Sequence, residues 1–370
     1  MTDSFIDAGV EFYSPLPLLN KKDRYKNTPE IFLSCSNRGA GKTYGFGKVI
    51  LDLYFHKIEL PYLKNMRKFA LLCRKKGDLG SVASGIFSII LNDNYNQYSI
   101  EETVMQKGVY SVIQLCSKIV NDEDEEEPFK EICGYVLPIN SSDDIKKISS
   151  NFYDVDAIFF DEFQCDNYVP NEMNKFVNIH TSIARGGPNG VRFVPVFMAS
   201  NSLDINNPYF EELGITTKIQ DNTRFYRGDG FVLERFVNLS VAERQKQSAF
   251  NRAFSKNKQM QSNIDNSWLN SDFSCICKPE SDWGKNYYLC TLSYNDVELA
   301  IRLYDNGYYY INRTVDLTHP NFYNMNPDGR ENMTLFSRIP LFNKLRENFF
   351  RGRVRFSDIA VKKIMLENVI

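Results

Sequence analysis

Three short stretches of this chain carry residue types that handle phosphate and water. The first is Ser36-Asn37-Arg38-Gly39-Ala40-Gly41-Lys42-Thr43. Its last three residues meet the end of the phosphate-loop pattern G-x-x-x-x-G-K-[ST], while Ser36 replaces the opening glycine. Backbone N–H groups of residues 38–43 can wrap a β-phosphate at a helix N-terminus, with Gly39 and Gly41 permitting close approach. Lys42 would bridge the β- and γ-phosphates of ATP, and the Thr43 hydroxyl would ligate Mg²⁺. The second stretch is Asp161-Glu162, delivered by the apolar run Ala157-Ile158-Phe159-Phe160. One carboxylate of such a pair can hold the metal while the next polarises an attacking water. A transferring enzyme would not need that second acid, so the pair favours hydrolysis. The third is Asn201, which follows another apolar run and can sense the γ-phosphate or orient the water; the alternative is a turn residue at a strand end.

Three arginines compete to assist. Arg38 lies inside the loop and Arg74 ends an apolar run, so both should meet the nucleotide within their own subunit. Arg185 ends a helix, where a cation is favoured by the helix dipole. The alternative is an arginine finger that completes a neighbour's site.

These residues need a scaffold that brings them to one edge. Residues 30–35 read as a buried strand, and Tyr44 to His56 has the apolar spacing of a helix. Residues 69–73 form a second apolar run, with a helical pattern from Leu79 to Leu91. From 99 to 139 the apolar residues alternate, a meander interrupted by the acidic tip 122–127. Asp156 to Phe160 is a buried strand. A helix opening near Pro170 should carry Met173, Phe176, Val177, His180 and Ile183 on one face. Residues 192–198 read as a further strand. The alternation predicts an α/β domain with a largely parallel sheet covered on both faces, its ligands at the strands' C-terminal edge. A hydrolase of the additional-strand, catalytic-glutamate class needs an extra strand between loop strand and acid strand; residues 69–73 offer one.

Beyond this domain the composition shifts. Residues 239–265 are polar, a connector or helical lid. Residues 287–292, 297–304 and 308–311 look like a three-strand meander, and the C-terminus reads as helical. The chain has 370 residues, enough for two domains, and 43% hydrophobic with 24% charged residues means a globular protein. Lys and Arg number 44 against 46 Asp and Glu, so any nucleic-acid contact must come from local patches. Eight scattered cysteines and three histidines make a zinc site improbable. The acidic N-terminus is unlike a signal peptide, and no run approaches the ~20 apolar residues that span a bilayer. A reduced, cytoplasmic and membrane-free setting is expected.

The Arg-Gly-x-Gly-Lys-Thr loop, the strand Ile158-Phe159-Phe160-Asp161-Glu162-Phe163, the segment Tyr168-Val169-Pro170-Asn171-Glu172, and Ser200-Asn201 with Asn207-Pro208-Tyr209-Phe210 together resemble the DNA-packaging ATPases of small podophages. These DNA encapsidation proteins are relatives of terminase large subunits. The resemblance is firm over 28–213 and one of layout beyond. It implies a P-loop ATPase domain at 1–213, a lid or linker at 214–272, and a smaller α+β domain at 273–370. Lys42 and Thr43 match the Walker A residues, Asp161 the Walker B metal acid, Glu162 the catalytic glutamate, Asn201 the coupling position and Arg185 the trans-acting arginine. Asn37, Arg38, Gly39, Ala40 and Gly41 complete the nucleotide loop, with Arg74 beside it. Double-stranded viral DNA, the procapsid portal and a packaging RNA are the implied partners. The implied assembly is a homo-oligomeric ring, pentameric by resemblance. The implied place is the portal vertex in the host cytoplasm, with the protein absent from the mature virion.

Terminase relatives usually carry a ribonuclease-H-type nuclease, which needs converging carboxylates on two metal ions. The best opening strand here, 286–293, has no Asp or Glu, and Asp296, Glu298, Asp305 and Asp316 suit turns and edges. The nuclease layout without its metal site is therefore expected. Two basic patches could grip phosphates without reading bases. One is Arg244, Lys246, Arg252, Lys256 and Lys258. The other runs from Arg338 through Lys344, Arg346, Arg351, Arg353 and Arg355 to Lys362 and Lys363; both could also be solvated surface. Three readings stay open: a DNA-packaging motor ATPase, a terminase with an active nuclease, and a nucleotide-gated scaffold without turnover.

Overall fold

The apolar runs flanking the chemical residues pack as the strands of one sheet. In the computed structural model, the residues described are 5–7, 10–117, 129–186, 190–216, 219, 224–266, 275–294, 297–324, 334–335 and 340–370. The acidic tip 122–127, Gly187-Pro188, the turn at Asn295, Asp296 and Arg338 lie outside them. Two units separate: Met1–Leu213 with Asn222–Leu269, and Gly214–Asp221 with Asn270–Ile370.

The first unit opens with a hairpin, β1 (Phe5–Asp7) and β2 (Val10–Phe12), and a short α1 (Leu16–Leu19). Next come β3 (Ile31–Ser36), α2 (Lys42–Tyr54), β4 (Lys68–Cys73), α3 (Val82–Asn94), β5 (Tyr98–Met105), β6 (Tyr110–Ser117) and β7 (Lys130–Pro138). Then α4 (Ser142–Lys147), β8 (Val155–Asp161), α5 (Glu172–Ile183), β9 (Val196–Asn201) and α6 (Pro208–Glu212) follow. The unit ends with β10 (Phe225–Arg227), β11 (Phe231–Phe236), α7 (Leu239–Gln247), α8 (Ala249–Ala253) and α9 (Lys258–Asp265).

Nine strands form one sheet in the order β10-β11-β3-β9-β8-β4-β7-β6-β5. From β11 to β7 every neighbour is parallel. Near-continuous apolar runs such as Phe159-Phe160 suit strands buried on both faces. The outer strands β5 and β6 pair antiparallel, and the edge strand β5 is largely exposed, as its polar alternation requires. Phe46, one turn into α2, is fully buried and stacks on Phe159 of β8 at 5.5 Å and on Phe197 of β9 at 6.2 Å. That single side chain seats the helix carrying Lys42 and Thr43 over the strands carrying Asp161 and Asn201.

Several expectations need correction. In space the strand between loop strand and acid strand is β9; residues 68–73 lie on the far side of β8. Residues 192–195 are not strand: Pro195 has no N–H to give a ladder, and β9 starts only after it. On α5 the buried residues include Phe176, Ile179 and Ile183, while Val177 is exposed. The stretch 214–272, read as lid or linker, supplies β10 and β11 to the ATPase sheet; β11 runs beside β3 from Phe231↔Ile31 to Phe236↔Ser36. Only its later part is the helical α7–α9.

The second unit carries β12 (Asn286–Tyr294), β13 (Val297–Tyr304), β14 (Tyr309–Asn312), β15 (Phe322–Asn324), β16 (Thr334–Leu335), α10 (Pro340–Phe350), β17 (Val354–Phe356) and α11 (Ile359–Asn368). Its sheet order is β16-β15-β12-β13-β14-β17. The first three strands form the antiparallel meander, and β15 lies parallel to β12. The C-terminal stretch is not helical throughout, because β17 interrupts it and extends the sheet beside β14. Phe342 and Leu345 of α10 and Val361 and Met365 of α11 close one face. Lys362, counted among the surface cations, is buried. Among the described residues no group of three His, Cys, Asp or Glu could hold a metal, and no helix is long and apolar enough to cross a membrane.

Two glycines separate packing from propensity. A Cβ on Gly134 of β7 would sit 2.5 Å from the Phe69 carbonyl oxygen, whereas one on the exposed Gly85 of α3 would meet nothing. Gly134→Ala should lower unfolding stability by about 1–3 kcal/mol. Gly85→Ala should raise it by about 0.5–1 kcal/mol through helix propensity. Urea melts of both variants check the opposite signs.

Candidate functional site

The loop joining β3 to α2 turns on two left-handed residues. Gly41 caps the helix at φ +89° and Gly39 stands at φ +77°, a conformation side chains rarely adopt. The turn leaves the first N–H groups of α2 at the loop's mouth, where an anion is favoured.

Lys42 is buried, and its Nζ donates to Ser36 Oγ at 2.7 Å, Ser36 O and Asn37 O at 3.3 Å, and Asn201 Oδ1 at 3.1 Å. These oxygens stand where phosphate oxygens would satisfy the ammonium. Ser36, which departs from the glycine pattern, contributes two of them. Burial pulls Lys42 down to about 8, opposed by nearby Cys35, Asp161 and Glu162. Asn201 reaches Lys42 because β9 pairs with β3 in register, Ser36 opposite Asn201.

The Thr43 hydroxyl donates to Asp161 Oδ2 at 2.6 Å. Burial raises Asp161, against the lowering effect of that hydrogen bond. Two adjacent oxygen donors, one a half-buried carboxylate, fit a hard cation such as Mg²⁺. Beside them a cleft of about 580 Å³ is lined by Thr43, Arg74, Asp78, Asp161, Glu162 and Cys165.

Glu162 is exposed toward that cleft with φ +53°, a left-handed backbone costing of order 1 kcal/mol for a non-glycine residue. What holds it is Arg74. Its Nη1 donates to Glu162 O at 2.7 Å and its Nη2 to Phe163 O at 2.5 Å. Its Nε lies 3.2 Å from both oxygens of Glu172. Arg74, expected at the nucleotide, lines that cleft while its donors hold the acid turn and Glu172. Glu172 is nearly fully buried and also accepts from Val169 N at 2.9 Å and Tyr209 OH at 2.7 Å. Reading by residue type missed Glu172 as a functional group; it stands inside the Pro-Asn-Glu segment used for the resemblance.

The helical connector touches the loop directly. Asn37 and Asn238 exchange amide bonds, Asn238 N to Asn37 Oδ1 at 2.9 Å and Asn37 Nδ2 to Asn238 O at 3.3 Å. Arg38 N donates to Asn263 O at 2.8 Å, and Gln245 Nε2 to Arg38 O at 2.9 Å. The Arg38 N–H is therefore engaged by α9, and the Arg38 side chain is exposed. Ala40 is buried, its carbonyl accepting from Tyr13 N at 3.3 Å. Nothing in the sequence linked Asn238, Gln245 or Asn263 to the loop, since more than 200 residues separate them.

Arg185 is not at the loop. It follows α5, whose N-terminal Glu172 stands by Arg74 and whose C-terminal Ile183 carbonyl is held by Arg192 beside Val155. A twelve-residue helix puts it ~18 Å along the sheet from the acid turn. Its side chain is exposed and has no partner among the described residues.

The basic patches divide. Arg244 and Lys256 are exposed, Lys246 pairs with Asp265 at 2.9 Å, and Arg252 donates to Gln247 O. The side chain of Lys258 lies outside the described residues. In the second unit Arg351 and Arg353 are exposed. Arg346 donates to Val369 O at 2.5 Å, and Arg355 to Gly352 O at 2.7 Å while lying over the Tyr308 ring.

The family model for the podovirus DNA encapsidation protein (Gp16) matches residues 8–369. The chain belongs to that family. The DNA packaging proteins of Bacillus phages PZA and phi29 are each 24% identical to it over 365 residues, spanning 96% of both chains. A solved bacteriophage phi29 genome packaging motor assembly contains a chain of similar fold, with TM-score 0.58 and 20% identity over 96% of this chain and 98% of that one.

The Arg74–Glu172 pair can be tested by stability. Glu172→Ala leaves the largely buried Arg74 guanidinium without its carboxylate and should cost about 3–5 kcal/mol, while Glu172→Gln keeps the side chain's volume and one of the two acceptor oxygens and should cost less. Equal, small losses in urea melts would show that the pair is not structural.

Proposed function

We propose that this chain is the ATP-hydrolysing subunit of a ring that drives double-stranded viral DNA into a preformed procapsid. The observation that carries the reading is the convergence of Lys42, the Thr43–Asp161 pair, Glu162 and Asn201 at one sheet edge. Family membership supplies the DNA-packaging context.

In this reading Lys42 exchanges its four protein oxygens for the β- and γ-phosphates of ATP. Mg²⁺, held by Thr43 and Asp161, would neutralise phosphate charge. Glu162 orients the attacking water and accepts its proton, from a turn that Arg74 keeps fixed. Asn201, released from Lys42 when phosphate takes its place, reports the nucleotide state to β9. The loop's bonds to Asn238, Gln245 and Asn263 carry the same report to the helical lid. Arg185 cannot serve its own site from the far end of α5, so it completes a neighbour's in trans. Exposed cations, Arg244 and Lys256 in one unit and Arg351 and Arg353 in the other, meet phosphates, the portal or a packaging RNA. A pentameric ring at the portal vertex in the host cytoplasm is the assembly we infer, with the second unit as a nuclease-like sheet without its metal site.

Phosphate release with DNA and portal present, measured with particle size in the same sample, tests the engine. Lys42→Ala should abolish binding of a fluorescent ATP analogue. Glu162→Gln should bind it and release phosphate at least ~10²-fold more slowly. Equally slow release by wild type and Glu162→Gln would favour a nucleotide-gated scaffold. Arg185→Ala should bind ATP without turnover, and added Glu162→Gln subunits, which retain Arg185, should restore some; no rescue at any ratio would contradict action in trans.

A further inference from the structure

The described residues on either side of the turn after Arg185 are tied to one another. Arg192 N donates to Ala184 O at 2.7 Å, Arg185 bridges Val191, and Gly186 N reaches Gly190 O at 3.3 Å. The Arg192 side chain, 19% exposed, turns inward. Its Nη2 donates to Ile183 O, the last residue of α5, at 2.8 Å and to Val155 O, the first residue of β8, at 3.1 Å. Its Nη1 lies 3.3 Å from Asp156 Oδ1. Asp156 is fixed in turn by Arg67, through Nη2 at 2.6 Å, the backbone N–H at 2.8 Å and Nε at 3.0 Å.

We propose that Arg192 is a positioning residue: it straps the end of α5 to the start of β8 so that Arg185 is aimed at the adjoining subunit. This rests on the reading that Arg185 acts in trans. Two features favour it over a plain stabilising role. The Arg192 Nε is buried and has no partner among the described residues, a desolvation cost that an apolar side chain at this site would not carry. What an apolar residue or a lysine cannot do is donate to two carbonyls of different elements while pairing with a carboxylate.

The strap also has a counterpart. At the other end of the same two elements, Arg74 joins Glu172 of α5 to the carbonyl of Glu162 just past β8. β8 and α5 are therefore tied at both ends, with the water-orienting acid at one end and Arg185 at the other. A shift of the Glu162 turn on hydrolysis is delivered to Arg185 as a movement of one body. Each subunit's chemical state then sets how its arginine meets the next site.

The test uses full-length protein with DNA and portal. Arg192→Ala and Arg192→Lys should bind the fluorescent ATP analogue within about twofold of wild type, while turnover in uniform rings falls at least about tenfold. Glu162→Gln subunits, inert themselves but intact at Arg185 and Arg192, should restore turnover to either variant in mixed rings. The double variant Arg185→Ala, Arg192→Ala should be no slower than Arg185→Ala. Arg192→Lys keeps the charge beside Asp156 and decides the matter if the alanine variant does not fold. Wild-type turnover in Arg192→Lys rings would overturn the proposal. So would lost turnover that Glu162→Gln cannot rescue while it rescues Arg185→Ala, since Arg192 would then act on its own site. Failure to rescue Arg185→Ala itself removes the trans reading, and this proposal with it.

Discussion

A buried ammonium needs oxygens around it, and the molecule is arranged to satisfy that demand at Lys42. Four protein acceptors surround its Nζ, drawn from β3, the loop after it and the end of β9. None is a carboxylate, so the charge is solvated without being neutralised, and burial draws its proton affinity down. Such a cation is stable enough to fold around and still short of negative charge, which is the condition for receiving phosphate. The other parts follow from keeping that cation in place. Phe46 seats its helix, Gly39 and Gly41 let the loop close over it, and Ser36, where the pattern has a glycine, offers its hydroxyl to Lys42 as an acceptor.

The acid turn follows the opposite principle. Glu162 stands in a left-handed backbone that a free chain would leave, and a buried salt bridge restrains it from behind. Arg74 and Glu172 are expensive to desolvate, but every donor and acceptor named for them is used, so what they contribute is geometry. The same device recurs at the far end of β8 with Arg192 and Asp156. Strand and helix between them carry no flexible glycine, so movement at one end has no internal joint in which to dissipate.

In the second unit the apolar face of the sheet is covered by α10 and α11, and several carboxylates there accept backbone N–H groups: Asp305 from Lys285, Asp316 from Thr318, and Asp358 from Val361 at the start of α11. Cations that looked equivalent along the chain separate in space, with Lys362 inside, Arg346 and Arg355 bonded to carbonyls, and Arg351 and Arg353 exposed.

The sequence by itself determined the local chemistry: a glycine-bracketed lysine before a helix, paired acids after an apolar run, an asparagine closing another. Those features were legible because strand, turn and helix N-terminus are short-range, and the parallel sheet follows from their alternation. Tertiary structure decided everything that joins distant segments. No periodicity reveals that β9 would insert between β3 and β8, or that β11 would leave the connector for the sheet. None reveals that Arg74 would tie Glu172 to the acid turn, or that Asn238 would clasp Asn37. Each of these is a hydrogen bond or a packing contact between residues tens to hundreds of positions apart, and partner choice at that range is settled by the whole fold's competition for buried surface and donors.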